Sequence, residues 1–256
     1  MYEEELRFAQ ELADRADEIS TSYFRGSFRV RQKDDGTPVT EADLAVEEAL
    51  RGALAKRFPD DAILGEEHGL EGSPGRTWVL DPIDGTKNFA AGIQIFATLI
   101  ALLDDGAPVV GVVSAPALGE RYSAGRGGGA TLNGNRIEVS TVSDVPEAFL
   151  VWGDVSWAVE SASSDESFAT LVRRAARTRA FGDFWGHMLV ARGAADAMME
   201  ESLRVWDWAA LQVLVEEAGG RVTQLDGEPL VDGGSVLTSN GALHTQLVNR
   251  LSAAAS

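Results

Sequence analysis

The stretch VLDPIDGTKNF, Val79 to Phe89, ends an apolar run in two aspartates, Asp81 and Asp84, and follows them at once with Gly85 and Thr86. Pro82 fixes its own φ and biases Asp81 toward an extended conformation, so both carboxylates belong on a stiff bend at the end of a strand. Gly85 and Thr86 then offer backbone amides where a short helix through Lys87 to Phe89 would begin, and such amides bind phosphate oxygens. Taken alone, Asp84-Gly85 reads first as an ordinary turn, with Asp84 capping a helix.

Two further acidic elements change that balance. ILGEEHG puts Glu66 and Glu67 at the end of an apolar strand 15 residues before Asp81, and RVWDWAALQVLVEEAGG puts Asp207 at the start of a helix behind two tryptophans. Each has a plain explanation by itself: surface glutamates in a loop, and a first-turn aspartate that complements the helix dipole. Together Glu66, Asp81, Asp84 and Asp207 place four carboxylates at strand ends and helix starts, in apolar surroundings where unpaired charge is expensive. A bound cation would offset that expense. Carboxylates and carbonyls, without Cys or paired His, select a hard divalent ion, and Mg²⁺ suits them far better than zinc. Two such ions a few Å apart can bind a phosphoryl oxygen, generate a nucleophilic hydroxide and neutralise a leaving alkoxide, which is phosphomonoester hydrolysis.

The remaining motifs narrow the choice. TEAD, Thr40 to Asp43, is a capping box that opens a helix, and capping alone would justify both residues. AGRGGGA contains the spacing of a dinucleotide fingerprint, but TLNGNRIEV behind it reads as a hairpin rather than a helix, which excludes a Rossmann site. No G-x-S-x-G, H-E-x-x-H or complete P-loop is present. The histidines, His68, His187 and His244, lie far apart without metal-ligand spacing, which assigns them surface or packing roles.

The elements that must position these groups follow from periodicity. Leu6, Ala9, Ala13, Ala16, Ser20 and Tyr23 recur at helical spacing up to Gly26, and a second helix runs from Thr40 to Phe58, where Pro59 stops it. Strands are expected at AILGEE, TWVLD, FATLIALL and VVGVVSA, with hairpin turns at DDGAP and Asn133-Gly134. After about residue 140 strands and helices alternate: AFLVWG, a helix from Ser167 to Arg177, a strand at AFGDF, a helix to Arg192, ADAMMEE, a helix from Trp206 to Ala218, RVTQL, SVLTSN and a final helix. This predicts a layered α/β (α+β) fold in two closely packed halves, residues 1–140 and 141–256, the first mostly antiparallel.

Composition sets the outer limits. The 256 residues are 45% hydrophobic, enough for a substantial core, and the formal charge of -18 disfavours nucleic acid and anionic membranes. The absence of Cys excludes disulfides and thiolate metal sites and is compatible with a reducing cytoplasm. The acidic start MYEEELRFAQ lacks a signal-peptide pattern, and the longest apolar run, FATLIALL, is less than half a bilayer span. A soluble cytoplasmic protein is expected.

Taken together, WVLDPIDGTKNF, GEEHG, PVTEAD and WDWAALQVLVEEAGG resemble the inositol monophosphatase family of Mg²⁺-dependent phosphatases, over nearly the whole chain from Lys33 to SNGALH. The resemblance implies an αβαβα sandwich, often dimeric, with the site between its halves. It further implies that Glu66, Asp81 and the carbonyl of Ile83 hold one ion, that Asp81, Asp84 and Asp207 hold a second, and that a third, weaker ion sits near Glu66 and Asp84. Thr86, polarised by Asp43, and Glu66 would serve catalysis, with the Gly85 and Thr86 amides seating the phosphate. Within that family GVVSAPALGERYSAGRGGGA, RAFGDFWGHMLVARGAADAMMEE and the lysine of DGTKNF are most similar to histidinol-phosphatases of the actinobacterial type. That likeness implies release of phosphate from L-histidinol phosphate, a small-molecule ester of histidine biosynthesis. Glu200 would contact the substrate and Asp183 could meet its alcohol portion, with Asp84 and Asp207 also reaching it. Two carboxylates suit a cationic amine or imidazole better than a neutral polyol. Inositol 1-phosphate remains the alternative ester, and a non-catalytic Mg²⁺ or phosphate binder the alternative of another class. The water-activating threonine argues against the binder.

Overall fold

The computed structural model describes residues 2–26, 29–32, 38–73, 75–154 and 166–252; Lys33 lies outside them. Helix α1 (Glu3–Tyr23) buries Ala9, Leu12, Ala13, Ala16 and Ser20 on one face, as its periodicity predicts. Helix α2 (Glu41–Arg57) starts at Thr40, whose hydroxyl accepts from the Ala42 and Asp43 amides while the Asp43 carboxylate accepts the Thr40 amide. Ahead of it, β1 (Val30–Gln32) and β2 (Pro38–Thr40) form a short antiparallel pair.

The first large sheet contains β3 (Ala62–Gly65), β4 (Gly69–Glu71), β5 (Thr77–Asp84), β6 (Ala97–Asp104), β7 (Ala107–Ala115), β8 (Glu120–Gly125), β9 (Ala130–Leu132) and β10 (Asn135–Arg136). Its order is β10-β9-β8-β7-β6-β5-β3-β4, antiparallel except for the parallel β3–β5 pair. Both expected hairpins form. Asp105-Gly106 and Asn133-Gly134 each place two successive residues at positive φ (49° and 77°; 49° and 78°), the backbone a two-residue turn between right-twisted strands requires. A short helix α3 (Thr86–Ala90) interrupts the chain between β5 and β6.

The second sheet contains β11 (Phe149–Trp152), β12 (Arg177–Ala180), β13 (Ala197–Leu203), β14 (Arg221–Thr223) and β15 (Gly234–Ser239), in the order β12-β11-β13-β15-β14. Helices α4 (Glu166–Arg174), α5 (Phe184–Ala191), α6 (Val205–Glu217) and α7 (His244–Ser252) complete the chain. One strand is displaced from its expected place. The strand falls on Arg177–Ala180 rather than on AFGDF, because that segment pairs in parallel with Phe149–Trp152; α4 accordingly stops at Arg174, and Phe184 already belongs to α5.

Alternation along β5 shows the layering. Trp78 and Leu80 face α1 and α2 with Leu12, Leu50 and Ile100, whereas Val79 faces the opposite cluster with Leu99, Met188, Leu211 and Leu214 of α5 and α6. The second sheet covers the other side of α5, where Val151 and Met198 meet Leu189 and Val190, and its far face packs Leu150 and Met199 against Phe168, Leu171 and Leu247 of α4 and α7. The result is an αβαβα sandwich. Among the described residues no helix is long and apolar enough to cross a membrane.

The central helix α6 lies close on β7: a Cβ at Gly111 would stand 2.5 Å from the Ala210 carbonyl oxygen. Gly111→Ala is therefore expected to destabilise the protein by about 2 kcal/mol in chemical denaturation. Gly52 is in α2 with nothing within 4 Å of its missing Cβ, so Gly52→Ala is expected to stabilise by about 0.8 kcal/mol.

Candidate active site

Asp81 and Asp84 are three positions apart, a spacing that would put them on opposite faces of a regular strand. The ladder resolves this. Asp81 pairs with Leu99 and Asp84 with Ala97, so three steps on β5 oppose two on β6 and a one-residue bulge turns both carboxylates to the same side. Pro82 lacks the amide a ladder needs, and the Thr98 hydroxyl secures the bulge by donating to the Pro82 carbonyl at 2.8 Å. Strand β13 shows the same irregularity between Glu200 and Leu203. Both bulges border one cavity of about 340 Å³, lined by Glu66, Asp81, Asp84, Thr86, Asp183 and Glu200 together with Asp207.

Asp81, Asp84 and Asp207 each present an oxygen within 4.8 Å of the other two. Each of the latter two is held by an amide at a helix start: Phe184 N, first in α5, donates to Asp84 Oδ2 at 2.6 Å, and Arg204 N, just before α6, donates to Asp207 Oδ2 at 2.7 Å. Asp43 is held similarly by Thr40 N at 2.8 Å where α2 begins. Three helix N-termini thus converge on the acidic cleft, and their partial positive charge favours carboxylates there.

Those donors do not offset the burial. Burial, followed by the charges of Glu66, Asp84 and Asp207, holds Asp81 well above the usual aspartate range, and burial with Asp183 and Asp207 does the same to Asp84. Burial pushes Asp207 up to about 7 and Asp43 up to about 6, with Glu66 contributing to both. Asp81 is 2% exposed, and its Oδ1 has no hydrogen-bond partner among the described residues. An orphaned buried oxygen amid convergent carboxylates fits a hard divalent cation, whose oxygen ligands stand about 3 to 4 Å apart at Mg–O distances near 2.1 Å.

The other expected residues fall around this centre. Thr86 Oγ1 is 3.0 Å from the Ile83 carbonyl oxygen and 3.4 Å from Asp43 Oδ1, so the Asp43 that caps α2 also faces the cleft. Gly85 has φ 81°, and a Cβ on it would meet Ile95 O at 2.9 Å, so its backbone is bare because the site leaves no room. Asp183, itself at φ 61°, accepts from Asn88 Nδ2 at 2.9 Å. Burial and Glu200 raise Asp183 to about 6, and Lys87 opposes them, which puts the Lys87 charge near Asp183.

Several contributors escaped sequence reasoning. Glu47, one turn beyond Asp43, is fully buried and accepts from Glu67 N at 2.8 Å, His68 N at 3.1 Å and Arg51 Nε at 2.8 Å, while Arg51 also donates to the Gly69 carbonyl. It ties down the loop that carries Glu66, and Gly65 has no Cβ because Glu47 Oε1 would lie 2.1 Å from it. An (i, i+4) Glu–Arg pair is ordinary on a solvated helix face, so Glu47 and Arg51 carry no signal in the sequence. Asn88 gave no signal beyond its proximity to Thr86. His244 does pack, between Ser239 and Thr223, and burial lowers it to about 4. His187 is likewise fully buried, behind the cleft, with its Nε2 3.3 Å from Glu200.

The sequence pattern of the inositol monophosphatase family matches residues 1–255. The chain belongs to that family. Its similarity to the histidinol-phosphatase of Mycobacterium tuberculosis is 47% identity, covering 99% of this chain and 100% of the relative. Its similarity to the histidinol-phosphatase of Streptomyces coelicolor is 44% identity, covering 98% and 97%. Among solved structures, an IMPase of Thermotoga maritima superposes with a TM-score of 0.89 at 29% identity, covering 98% of both chains.

Two outcomes are expected. The raised aspartates bind protons more tightly folded than unfolded, so the metal-free protein loses stability as pH rises from the ordinary aspartate value through about 7. Its thermal midpoint should be higher at about pH 5.5 than at about pH 7.5, with millimolar Mg²⁺ raising it more at the higher pH. Glu47→Ala removes the acceptor of two amides and one partner of the half-buried Arg51 and should cost about 2 kcal/mol in denaturation, with faster amide exchange at Glu67 and His68.

Proposed function

We propose that this protein is a Mg²⁺-dependent phosphomonoesterase that converts L-histidinol phosphate and water to L-histidinol and phosphate. The observation that carries the substrate choice is the presence of two acidic groupings in one cavity. Asp81, Asp84 and Asp207 lie at one end, and Asp183 with Glu200 border the same space. The first grouping calls for cations that would meet a phosphate, and the second for an alcohol portion that is itself positively charged. The names borne by the relatives at 47% and 44% identity support the same substrate.

On this reading Glu66, Asp81 and the Ile83 carbonyl would hold one Mg²⁺, and Asp81, Asp84 and Asp207 a second, with a third, weaker ion near Glu66 and Asp84. Bound there, the ions supply charge neutralisation for the phosphoryl and leaving oxygens and acidify a coordinated water. The Gly85 and Thr86 amides face the phosphate. The Thr86 hydroxyl, with its proton directed to Ile83 O or Asp43 Oδ1, turns a lone pair toward the attacking water and orients it. Water oxygen bonds to phosphorus as the bond to the alcohol oxygen breaks, with no phosphoenzyme. Asp183 and Glu200 receive the cationic arm of the alcohol. We read the enzyme as a cytoplasmic homodimer, on its Cys-free acidic composition and the family resemblance.

Inositol 1-phosphate is the second reading, favoured by the capacity of Glu200 to accept a hydroxyl hydrogen bond. The comparison of kcat/KM for L-histidinol phosphate and inositol 1-phosphate decides between them: the first ester should be preferred, and a clear preference for the second refutes the proposal. Asp81→Asn and Asp207→Asn should each lower kcat by about three orders of magnitude while circular dichroism stays native. Near-normal turnover would remove them as metal ligands, and Mg²⁺-supported binding without phosphate release from either ester would mean a binder.

A further inference from the structure

We propose that His187, pinned by Thr238, is a positioning residue for specificity: it holds the Glu200 carboxylate aimed into the cleft, so that the alcohol half of the substrate is selected for its positive charge. This rests on the reading of the site given above and adds the device that enforces it.

His187 on α5 is fully buried, as is Thr238 on β15. The imidazole Nδ1 is 2.7 Å from Thr238 Oγ1, and Nε2 is 3.3 Å from Glu200 Oε2. A neutral imidazole has a single N–H. Placed on Nδ1, it would leave the bare lone pair of Nε2 facing a carboxylate. Placed on Nε2, it donates to Glu200, and the Thr238 hydroxyl donates its one proton to Nδ1. Only the second arrangement satisfies all three groups, and a protonated imidazole would likewise donate from Nε2. Glu200 therefore has an N–H behind it, which fixes the direction in which its carboxylate points.

Glu200 is confined on its other sides. Its Oε1 lies 2.4 Å from where a Cβ of Gly153 would be, so the side chain rests on bare glycine backbone, and the Asp183 amide lies 3.5 Å from the same oxygen. The open direction is the cavity. Asp183 is fixed comparably, since Asn88 Nδ2 bridges it at 2.9 Å and the Ile95 carbonyl at 3.0 Å. Lys87 lies near Asp183 and offsets part of the repulsion between the two carboxylates, and a cation entering between them offsets more. A neutral polyol gains hydrogen bonds there but does not relieve that repulsion.

The test compares steady-state kinetics of His187→Leu, His187→Gln and Thr238→Val in the Mg²⁺-loaded enzyme on L-histidinol phosphate and inositol 1-phosphate. His187→Leu is expected to raise KM for L-histidinol phosphate about 10-fold or more, with a much smaller change in kcat and a smaller change in KM for the neutral ester. His187→Gln, which keeps a donor near the Nε2 position, should recover part of the loss. Combined with Glu200→Gln, His187→Leu should add nothing further. Equal losses on the two esters, or an unchanged KM, would overturn the proposal. Should His187→Leu fail to fold, Thr238→Val, nearly isosteric, carries the same kinetic test. The ¹⁵N spectrum of the native imidazole gives a check free of substrate: a proton on Nε2 is expected, and a neutral ring protonated on Nδ1 overturns the proposal. A native enzyme inactive on L-histidinol phosphate would refute the parent reading and the cation preference with it. A native enzyme active on that ester, whose variants lose both esters alike, refutes only the role of His187.

Discussion

Gathering Asp81, Asp84 and Asp207 within 4.8 Å sets like charges against one another in a cleft that excludes much of the solvent. Repulsion there is several times what it would be in bulk water, and among the described residues no side-chain cation is bonded to these three carboxylates. The protein spreads the opposition over backbone dipoles. Helices α2, α5 and α6 all begin at the cleft, and the amides of Thr40, Phe184 and Arg204 each meet a carboxylate. What those donors leave unbalanced appears as aspartates raised to about 6 and about 7, and as an Asp81 oxygen without a partner. The residual deficit is the site's affinity for cations, expressed in the structure of the chain itself.

This arrangement makes the site dependent on the docking of the two sheets. Asp84 comes from β5, but its amide donor comes from α5; Asp183 precedes α5, but its amide partner Asn88 is on α3. Helix α6 carries Asp207 and presses its backbone onto Gly111 of β7. A small shift of the middle helical layer would therefore move Asp207, the amide that holds Asp84, and Asp183 together. Stability and site geometry are coupled through the same few close approaches, several of them at glycines whose missing Cβ is where another group sits.

The acidic motifs were legible because their chemistry is local. Pro82, the Asp-Gly-Thr sequence and the capping box each constrain only a few neighbouring residues, and Asp81, Asp84, Asp43 and Asp207 lie where those constraints point. Glu47 and His187 were not legible, because the contacts through which each reaches the site lie 13 to 51 residues away in the chain. Glu47 looks like half of a surface ion pair until the Glu66 loop folds over it. His187 sits in an apolar helical segment that would bury any side chain, and only the neighbouring strands reveal that both its nitrogens are engaged. The displaced strand β12 has the same origin, since a short polar segment such as Arg177–Ala180 becomes a strand only by pairing with β11.

By itself the sequence determined the hydrophobic alternation, the helix starts, the hairpin turns and the inventory of carboxylates, since each depends on backbone preference or side-chain type within a few residues. Tertiary structure decided which carboxylates meet, and in what state. The one-residue bulge that brings Asp81 and Asp84 to one face depends on the register of β6, and the convergence of three helix starts depends on how the layers stack. Charge repulsion and desolvation act through space, so their strength at this cleft exists only once residues distant in the chain have been packed around it.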